Sequence, residues 1–307
     1  MTKSSEARHW LHQFVIPGME TPVNLGASER VSQTGILGAL RCVQNGNVYD
    51  LDAGRWPGMA VHPVHPPFTL TTYRTPRGMR VDNGPSGTED SFVSELLISS
   101  MHAGAHIDAL CHVTCGAGSQ WHNNRREVDE LGDMGAKTGD GAALPPFVCR
   151  GVLIDIPPVL GVDSLAAGHG IDWQQIQQAL ERQETTIQPG DAVMFRTGFM
   201  KWWLQGPEAA RPHTGAGINL DVAKKLADLG VILVGADTEG FEQLPAPDPG
   251  KYLPVHVELL INHGIHIIEL AYLEDLARDE VFEFLFVCLP LRVRGATGSM
   301  VRPIAVT

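Results

Sequence analysis

The chain has 307 residues and a mass of 33.3 kDa, of which 43% are hydrophobic and 19% are charged. These values are typical of a globular protein with one or two domains, and they exclude a disordered or fibrous chain. A formal net charge of −12, without any cluster of Lys and Arg, argues against nucleic acid or an anionic membrane as a partner.

The cysteines and the hydropathy pattern bear on the compartment. Five cysteines, an odd and scattered set, do not resemble the disulfide framework of a secreted domain. Residues 1–15 contain no apolar stretch after a basic start, as a signal peptide would. No apolar run is long enough to cross a bilayer. We therefore expect a cytoplasmic protein.

Residues 1–90 differ from the rest of the chain because they are rich in Pro and Gly and show little sustained periodicity. This pattern predicts an arm and loops packed on a body formed by residues 91–307. Within the arm, His62 and His65 flank prolines and are candidates for the mouth of a binding site, although surface loops often carry histidine. Trp56 and Phe68 offer flat apolar surface for an aromatic substrate, although core burial is the commoner role.

From residue 91 onward, short apolar runs alternate with helical patterns. Residues 92–101 predict a strand, and further buried strands are predicted at residues 151–156, 191–196, 231–235, 265–268 and 281–291. Helices are predicted between them, started by Asp172, by Asn219 or Asp221, and by Pro254 ahead of His256. Strands alternating with helices indicate an α/β fold.

Three histidines and an aspartate are concentrated in eleven residues, His102-Ala-Gly-Ala-His106-Ile-Asp108-Ala-Leu-Cys-His112. Zinc, manganese and iron accept imidazole and carboxylate ligands, and catalytic sites with such ligands keep a position open for water or substrate. His102 and His106 would share one face of a helical turn, whereas Gly104 favours a tight loop. Either geometry allows a common ion, so the run predicts a catalytic metal site.

Two other features of the sequence allow more than one interpretation. Cys111 and Cys115 would suit a Cys/His zinc site, although no second close cysteine pair exists to complete a structural tetrahedron. Asp237 follows a predicted buried strand, and ligands tend to bind at the carboxyl ends of strands in α/β sheets. Asp237 is therefore a candidate for substrate binding, although a loop facing solvent would show the same pattern.

The run at residues 102–112 resembles the His-x-Gly-Thr-His-x-Asp-x-Pro-x-His signature of the cyclase family. This family of metal-dependent hydrolases includes bacterial kynurenine formamidase and isatin hydrolase. Segments at residues 190–198, 231–238, 254–269 and 295–299 are similar to later blocks of the family, and the length resembles its long branch. Ala105 stands where Thr is usual, which removes a hydroxyl that could have oriented a ligand or bound water. Leu110 stands where the short branch has Pro.

The resemblance implies the swivelling β/β/α fold of the family and a set of site residues. His102, His106 and Asp108 would be metal ligands, and His112 would be the acid/base. His256 and Glu269 would complete a second metal position, as in the formamidases, whereas a single ion is usual in isatin hydrolase. The resemblance thus implies one or two ions, manganese or zinc, and a homo-oligomer, a dimer or a tetramer, in which the arm is a candidate for exchange between subunits.

These residues predict a reaction. A divalent cation lowers the pKa of bound water from about 15.7 towards 7 and polarises a carbonyl oxygen. His112 would move a proton from the attacking water to the departing nitrogen. We expect hydrolysis of a C–N bond in a small, aromatic molecule, either a lactam such as isatin or an N-formyl amide such as the formylkynurenine of tryptophan catabolism.

Three other functions remain open from the sequence. A lyase or a true cyclase would use the same cation without consuming water, and a lactone hydrolase would cleave a C–O bond instead. A protein that only binds a metal or a small molecule would leave His112 without a role.

Overall fold

The computed structural model describes residues 25–83 and 90–307. A nine-stranded sheet forms its centre. In chain order the strands are β1 (Val48–Asp50), β2 (His106–Asp108), β3 (Phe147–Asp155), β4 (Ala192–Arg196), β5 (Leu233–Ala236), β6 (His266–Glu269), β7 (Glu283–Cys288), β8 (Gly298–Met300) and β9 (Ile304–Val306). Across the sheet they lie in the order β1-β9-β7-β3-β4-β5-β6-β2-β8.

The sheet is mixed. Strands β3, β4, β5 and β6 are mutually parallel. Strands β7, β9 and β1 extend it antiparallel on one side, and β2 and β8 extend it antiparallel on the other. Parallel neighbours need crossover connections, which are usually helical. The alternation of strands and helices predicted from the sequence is therefore confirmed as an α/β fold.

The helices flank this sheet and the loops around it. They are α1 (Gln33–Ala39), α2 (Pro76–Asn83), α3 (Glu127–Glu130), α4 (Pro157–Leu160), α5 (Trp173–Arg182), α6 (Met200–Trp203), α7 (Pro207–Ala210), α8 (Leu220–Asp228), α9 (Pro254–His256) and α10 (Glu274–Arg278). Short 3-10 turns lie at Gly26–Arg30, Leu40–Cys42, His122–Asn124, Gly141–Ala143 and Arg211–His213, and a π-helical segment, Val257–Asn262, continues α9.

The predicted helix starts are confirmed. The Asp172 side chain accepts a hydrogen bond from the Gln175 backbone N–H and the Gln175 side chain bonds back, which forms a capping box at α5. Asn219, one of the two residues considered, caps α8 through the Val222 N–H. Pro254 occupies the first turn of α9, where its missing N–H leaves no bond unmade.

Side chains of the central strands alternate between two apolar cores. Val152, Ile154 and Phe195 face the core that contains α5 and α8, whereas Leu153 and Met194 face the opposite core. Both faces of the parallel strands are thus covered, which explains why these segments read as continuous apolar runs in the sequence. Among the described residues, no helix is long and apolar enough to span a membrane.

The segment before residue 91 contributes to the body as well as running over it. Strand β1 lies at the edge of the central sheet and pairs with β9. The strand predicted at residues 92–101 forms at Ser94–Ile98, but it pairs with Thr69–Arg74 in a separate two-stranded sheet. Three smaller two-stranded pairs join Gly170–Ile171 to Gly217–Ile218, Gln120–Trp121 to Arg125–Arg126, and Leu131–Gly132 to Gly135–Ala136.

Candidate metal centre

Five polar side chains from four segments meet at one end of β2 and β6, and they are called the metal cluster below. Its members are His102, His106, Asp108, His256 and Glu269. His106 and Asp108 are the first and last residues of β2, so their side chains share one face, while Ile107 between them points into the core. The antiparallel pairing of β2 with β6 sets Glu269 directly opposite His106. Helix α9 supplies His256.

The loop that carries His102 is held by Arg55. The Arg55 guanidinium donates hydrogen bonds to the carbonyl oxygens of Ala103 and Ala105, and it also pairs with Asp52 at 2.7 Å. Gly104 lies between these carbonyls with φ of +64°, and a Cβ there would lie 3.0 Å from Arg55 Cγ. Both the left-handed backbone and the close side chain therefore require glycine at this position.

Thr297 and the first residue of β8, Gly298, fix the ring of His102. The Thr297 hydroxyl lies 2.9 Å from His102 Nε2. Gly298 pairs with Asp108 across β8 and β2, and a Cβ on Gly298 would lie 2.7 Å from the His102 ring. Glycine at this position thus provides the space that the imidazole fills.

Asp108 lies at the centre of the metal cluster. One of its oxygens, Oδ1, is 3.0 Å from His102 Nδ1 and 3.7 Å from His106 Nε2. The other, Oδ2, is 3.7 Å from His256 Nε2. Glu269 bridges the far side, 3.3 Å from His106 Nε2 and 3.2 Å from His256 Nε2. The cluster therefore contains two groups of three ligands, which share Asp108.

Each imidazole of the metal cluster uses its other ring nitrogen to fix its orientation. His106 Nδ1 donates to the Gly104 carbonyl at 2.8 Å. His256 Nδ1 donates to Glu242 at 2.6 Å, and Glu242 also accepts the backbone N–H groups of Val255 and His256 at the start of α9. Such outer hydrogen bonds set the tautomer and aim the free nitrogen at a metal.

The metal cluster contains buried polar atoms without partners. Within the described part of the chain, no hydrogen bond of good geometry reaches either oxygen of Asp108 or His102 Nδ1, although these two side chains approach each other to 3.0 Å. Asp108 has 0% of its surface exposed. A buried carboxylate without compensation costs several kcal/mol, so such groups are retained where a ligand satisfies them. Carboxylate and imidazole donors converging in this way fit a divalent cation.

The electrostatics of the metal cluster agree with this fit. Burial lowers the pKa of His102 to about 4, so its imidazole is neutral and free to ligate. Burial alone would raise the pKa of Asp108, but the surrounding imidazoles, His112 first, hold it below its usual range. Burial would lower the pKa of His256, but hydrogen bonds to Glu242 and Glu269 raise it to about 10. Where the protein alone uses a proton on His256, a bound cation would replace it.

A cavity of about 290 Å³ opens onto the metal cluster. His112 lines it with Nε2 4.0 Å from Asp108 Oδ1, and its ring stacks on that of His102 at 4.0 Å between centroids. Burial lowers the pKa of His112, which favours the neutral form that accepts a proton. His65 also stacks on the His102 ring, with 4.8 Å between the ring centroids. Both His65 and His62 line the cavity.

Three residues predicted to bind substrate lie elsewhere. Trp56 packs edge-on against Trp203, and Phe68 is buried in the same apolar group, so neither lines this cavity. Asp237 is fully buried, and its two oxygens accept hydrogen bonds from Thr197, Gly198 and Phe199. The structure corrects these three expectations, because core packing and internal hydrogen bonds occupy the side chains.

Three residues that position the ligands were missed by sequence reasoning, whereas Glu239 belongs to the acidic segment after β5 that the sequence indicated. Arg55, Thr297 and Glu242 position the ligands, and Glu239 lines the cavity. Glu242 and Glu239 follow β5 at the carboxyl end of a parallel strand, which was a usable signal. Arg55 carried none, because the carbonyl groups of Ala103 and Ala105 that it holds are 48 and 50 residues away in the chain.

The sequence matches the family model described as "Putative cyclase" over residues 49–243. The chain belongs to this cyclase family. A solved structure described as a novel cyclase is 28% identical, with a TM-score of 0.81, and the match covers 92% of this chain and 96% of that one. Isatin hydrolase A from Labrenzia aggregata is 19% identical, with a TM-score of 0.60 over 85% of this chain and 94% of that one, which shows a shared fold.

A curated relative of this cyclase-family chain is the kynurenine formamidase of Paracidovorax citrulli (strain AAC00-1). It is 28% identical over 68% of this chain and 77% of its own length. The kynurenine formamidase of Delftia acidovorans (strain DSM 14801 / SPH-1) is 25% identical over 67% of this chain and 76% of its length. The predicted family and its fold are confirmed.

Proposed function

We propose that this cyclase-family protein is a metal-dependent hydrolase that cleaves a C–N amide bond in a small, aromatic molecule. The observation that carries the proposal is Asp108, a fully buried carboxylate on which imidazoles converge beside an open cavity without a hydrogen bond of good geometry from any described group. The kynurenine formamidases and isatin hydrolases among its relatives are consistent with this reaction class.

Five residues would hold the metal ions. His102, His106 and Asp108 form one position, and Asp108, His256 and Glu269 form the other, so we propose two adjacent ions of manganese or zinc. When bound, a cation in such a site activates water near neutral pH and polarises a carbonyl oxygen. Arg55, Thr297 and Glu242 would keep the ligands aligned, since each contacts a ligand or its loop.

His112 has the geometry of a proton carrier. It faces the same cavity as the metal cluster, and its Nε2 is farther from Asp108 than the corresponding atoms of His102, His106 and His256. As a neutral imidazole it would take a proton from the attacking water and donate it to the departing nitrogen. Apolar side chains on the cavity wall, Val64, Leu244, Leu253 and Leu270, would hold the body of the substrate.

The proposal is tested by removing and restoring metal. Chelated protein should lose hydrolysis of aryl formamides and isatin-like lactams, and manganese or zinc should restore it. With two positions that share Asp108, recovery should continue beyond one equivalent per chain, whereas completion at one equivalent would contradict the second ion. Full activity in metal-free protein would refute the proposed function.

Incorporation of solvent ¹⁸O distinguishes the alternatives. A hydrolase places one labelled oxygen in the product acid, whereas a lyase or cyclase consumes no water. A matched lactone and lactam then separate C–O from C–N cleavage. Tight binding of these compounds without turnover would favour a protein that only binds them.

A further inference from the structure

Glu239 lies where two cavities meet. The cavity over the metal cluster and a second cavity of about 370 Å³ share four lining residues, His62, Glu239, Gly240 and Leu244. A side chain in this shared wall would contact the part of a substrate that extends away from the metal cluster. The position of Glu239 is therefore suited to selecting substrates rather than to cleaving them.

The Glu239 carboxylate has no partner in the described residues. No hydrogen bond and no ion pair joins it to another of them, in contrast to Glu242, whose oxygens accept from Val255 and His256. Burial, and then the charge of Glu269, raise the pKa of Glu239 to about 7. Both effects show that the protein does not compensate this charge.

In the described part of the chain, the basic side chains that line the cavity are all histidines. Among the described residues that line it, none is Lys or Arg, and the carboxylates are Glu239 and Glu269. Bound cations would neutralise Glu269, which belongs to the metal cluster, but not Glu239. The second cavity includes Arg211, whose guanidinium pairs with Glu208 at 3.0 Å. A substrate carboxylate would thus meet uncompensated negative charge, whereas a cationic nitrogen would meet a free acceptor.

We propose that Glu239 determines specificity by binding an ammonium or other strongly donating nitrogen on the substrate. The substrate class is then an aromatic amide with a basic nitrogen a short distance from the scissile bond. This inference rests on the proposed hydrolase function and refines its substrate. At pH 8, above the pKa of about 7, the Glu239 carboxylate is mostly ionised, and an ionised acceptor binds a charged donor more strongly than a neutral group does.

Three formanilides of similar size test the inference. They carry an aminomethyl, an ethyl or a carboxymethyl group at the meta position, and so are cationic, neutral and anionic. For the wild-type metal-loaded enzyme, kcat/KM should be highest for the cationic compound, about tenfold above the neutral one, and lowest for the anionic one. Glu239→Gln should remove the preference for the cationic compound over the neutral one.

A control substitution removes one charge elsewhere. Glu181→Gln, on the exposed face of α5, should leave the order of the three compounds unchanged. An unchanged order in Glu239→Gln, or no order in the wild type, would overturn the inference. A loss of hydrolysis of all three compounds in Glu239→Gln alone would assign the residue to the reaction itself and would also overturn it.

A binding measurement separates this inference from the proposed function. If the wild-type enzyme hydrolyses none of the compounds, calorimetry with benzylammonium, benzyl alcohol and benzoate tests Glu239 without turnover. Benzylammonium should bind most tightly to the wild type and about tenfold more weakly to Glu239→Gln. Equal binding to both proteins would overturn the role of Glu239, whatever reaction the site performs.

Discussion

Asp108 and Asp237 are both fully buried, and both lie at strand ends of the same sheet. Asp237 accepts four hydrogen bonds, from the N–H and hydroxyl of Thr197 and the N–H groups of Gly198 and Phe199, at 2.7–3.1 Å. In the described ranges, Asp108 accepts none of good geometry, and its nearest donor is His102 Nδ1 at 3.0 Å. Equal burial therefore has opposite meanings at the two positions. Asp237 joins the loop after β4 to β5, whereas Asp108 is organised for a ligand from outside the chain.

The largest expected effect comes from Asp108→Asn, which removes the ligand shared by both metal positions. Bound metal should fall sharply, and activity should drop by about 10⁴-fold or more, because the water is no longer activated. The thermal midpoint of the metal-free variant should fall only modestly, since neighbouring imidazoles stabilise the Asp108 charge but no hydrogen bond of good geometry reaches it. Elemental analysis and calorimetry measure the two effects. Full metal occupancy, or marked destabilisation without metal, would make Asp108 resemble Asp237.

His112→Ala tests whether His112 is a further metal ligand or the proton carrier. As the proton carrier, His112 should be dispensable for metal binding, while kcat falls by about 10²–10⁴-fold. Steady-state kinetics and metal content measured on the same preparation separate the two roles. His213→Ala, which removes a ring stacked on Trp202 outside this cavity, is the control and should change neither quantity. Metal loss in His112→Ala would instead identify His112 as a ligand.

The sequence alone does not predict the contrast between the two aspartates. The run from His102 to His112 was predictable because its ligands are adjacent in the chain and chemically distinctive. His256 and Glu269 were assigned by family resemblance alone, since only the pairing of β2 with β6 and the packing of α9 bring them to Asp108.

Asp237 shows why the sequence alone did not decide which acidic side chain faces the cavity. The rule that ligands bind at the carboxyl ends of parallel strands identified the correct edge of the sheet. Whether an acidic side chain there meets a ligand or the protein depends on donors supplied by other segments. For Asp237 the donors come from the loop after β4, and no local sequence pattern predicts this contact. The role of Arg55 was not predictable for the same reason, because it depends on carbonyl groups of a distant segment.

Glu242→Gln tests a carboxylate that combines features of Asp237 and Asp108. Its carboxylate is satisfied by the protein, but one of its donors is the metal-cluster imidazole of His256. An amide in its place would disturb the orientation of that imidazole, so metal affinity should weaken by about 10–100-fold. A competition titration with a chelating dye measures this.

Glu258→Gln is the matched control for Glu242→Gln. Glu258 also contacts an imidazole, that of His263 at 3.2 Å, but this pair lies outside the metal cluster. Metal affinity should therefore be unchanged in Glu258→Gln. Equal weakening in both variants would indicate a general electrostatic effect and would argue against a specific role of Glu242 in orienting His256.

Asp237→Asn should reverse the behaviour expected of Asp108→Asn. Burial raises the pKa of Asp237 to about 6, so at pH 8 the side chain is a carboxylate with acceptors only. Asparagine places an NH₂ group against backbone donors, and the free energy of unfolding should fall by about 2 kcal/mol. Metal content and kcat of the folded protein should remain near wild type. Asp228→Asn, at the exposed end of α8, should change stability by less than about 0.5 kcal/mol in denaturant titrations. Loss of metal in Asp237→Asn at unchanged stability would show that the fully bonded aspartate also serves the site, and the contrast between the two carboxylates would fail.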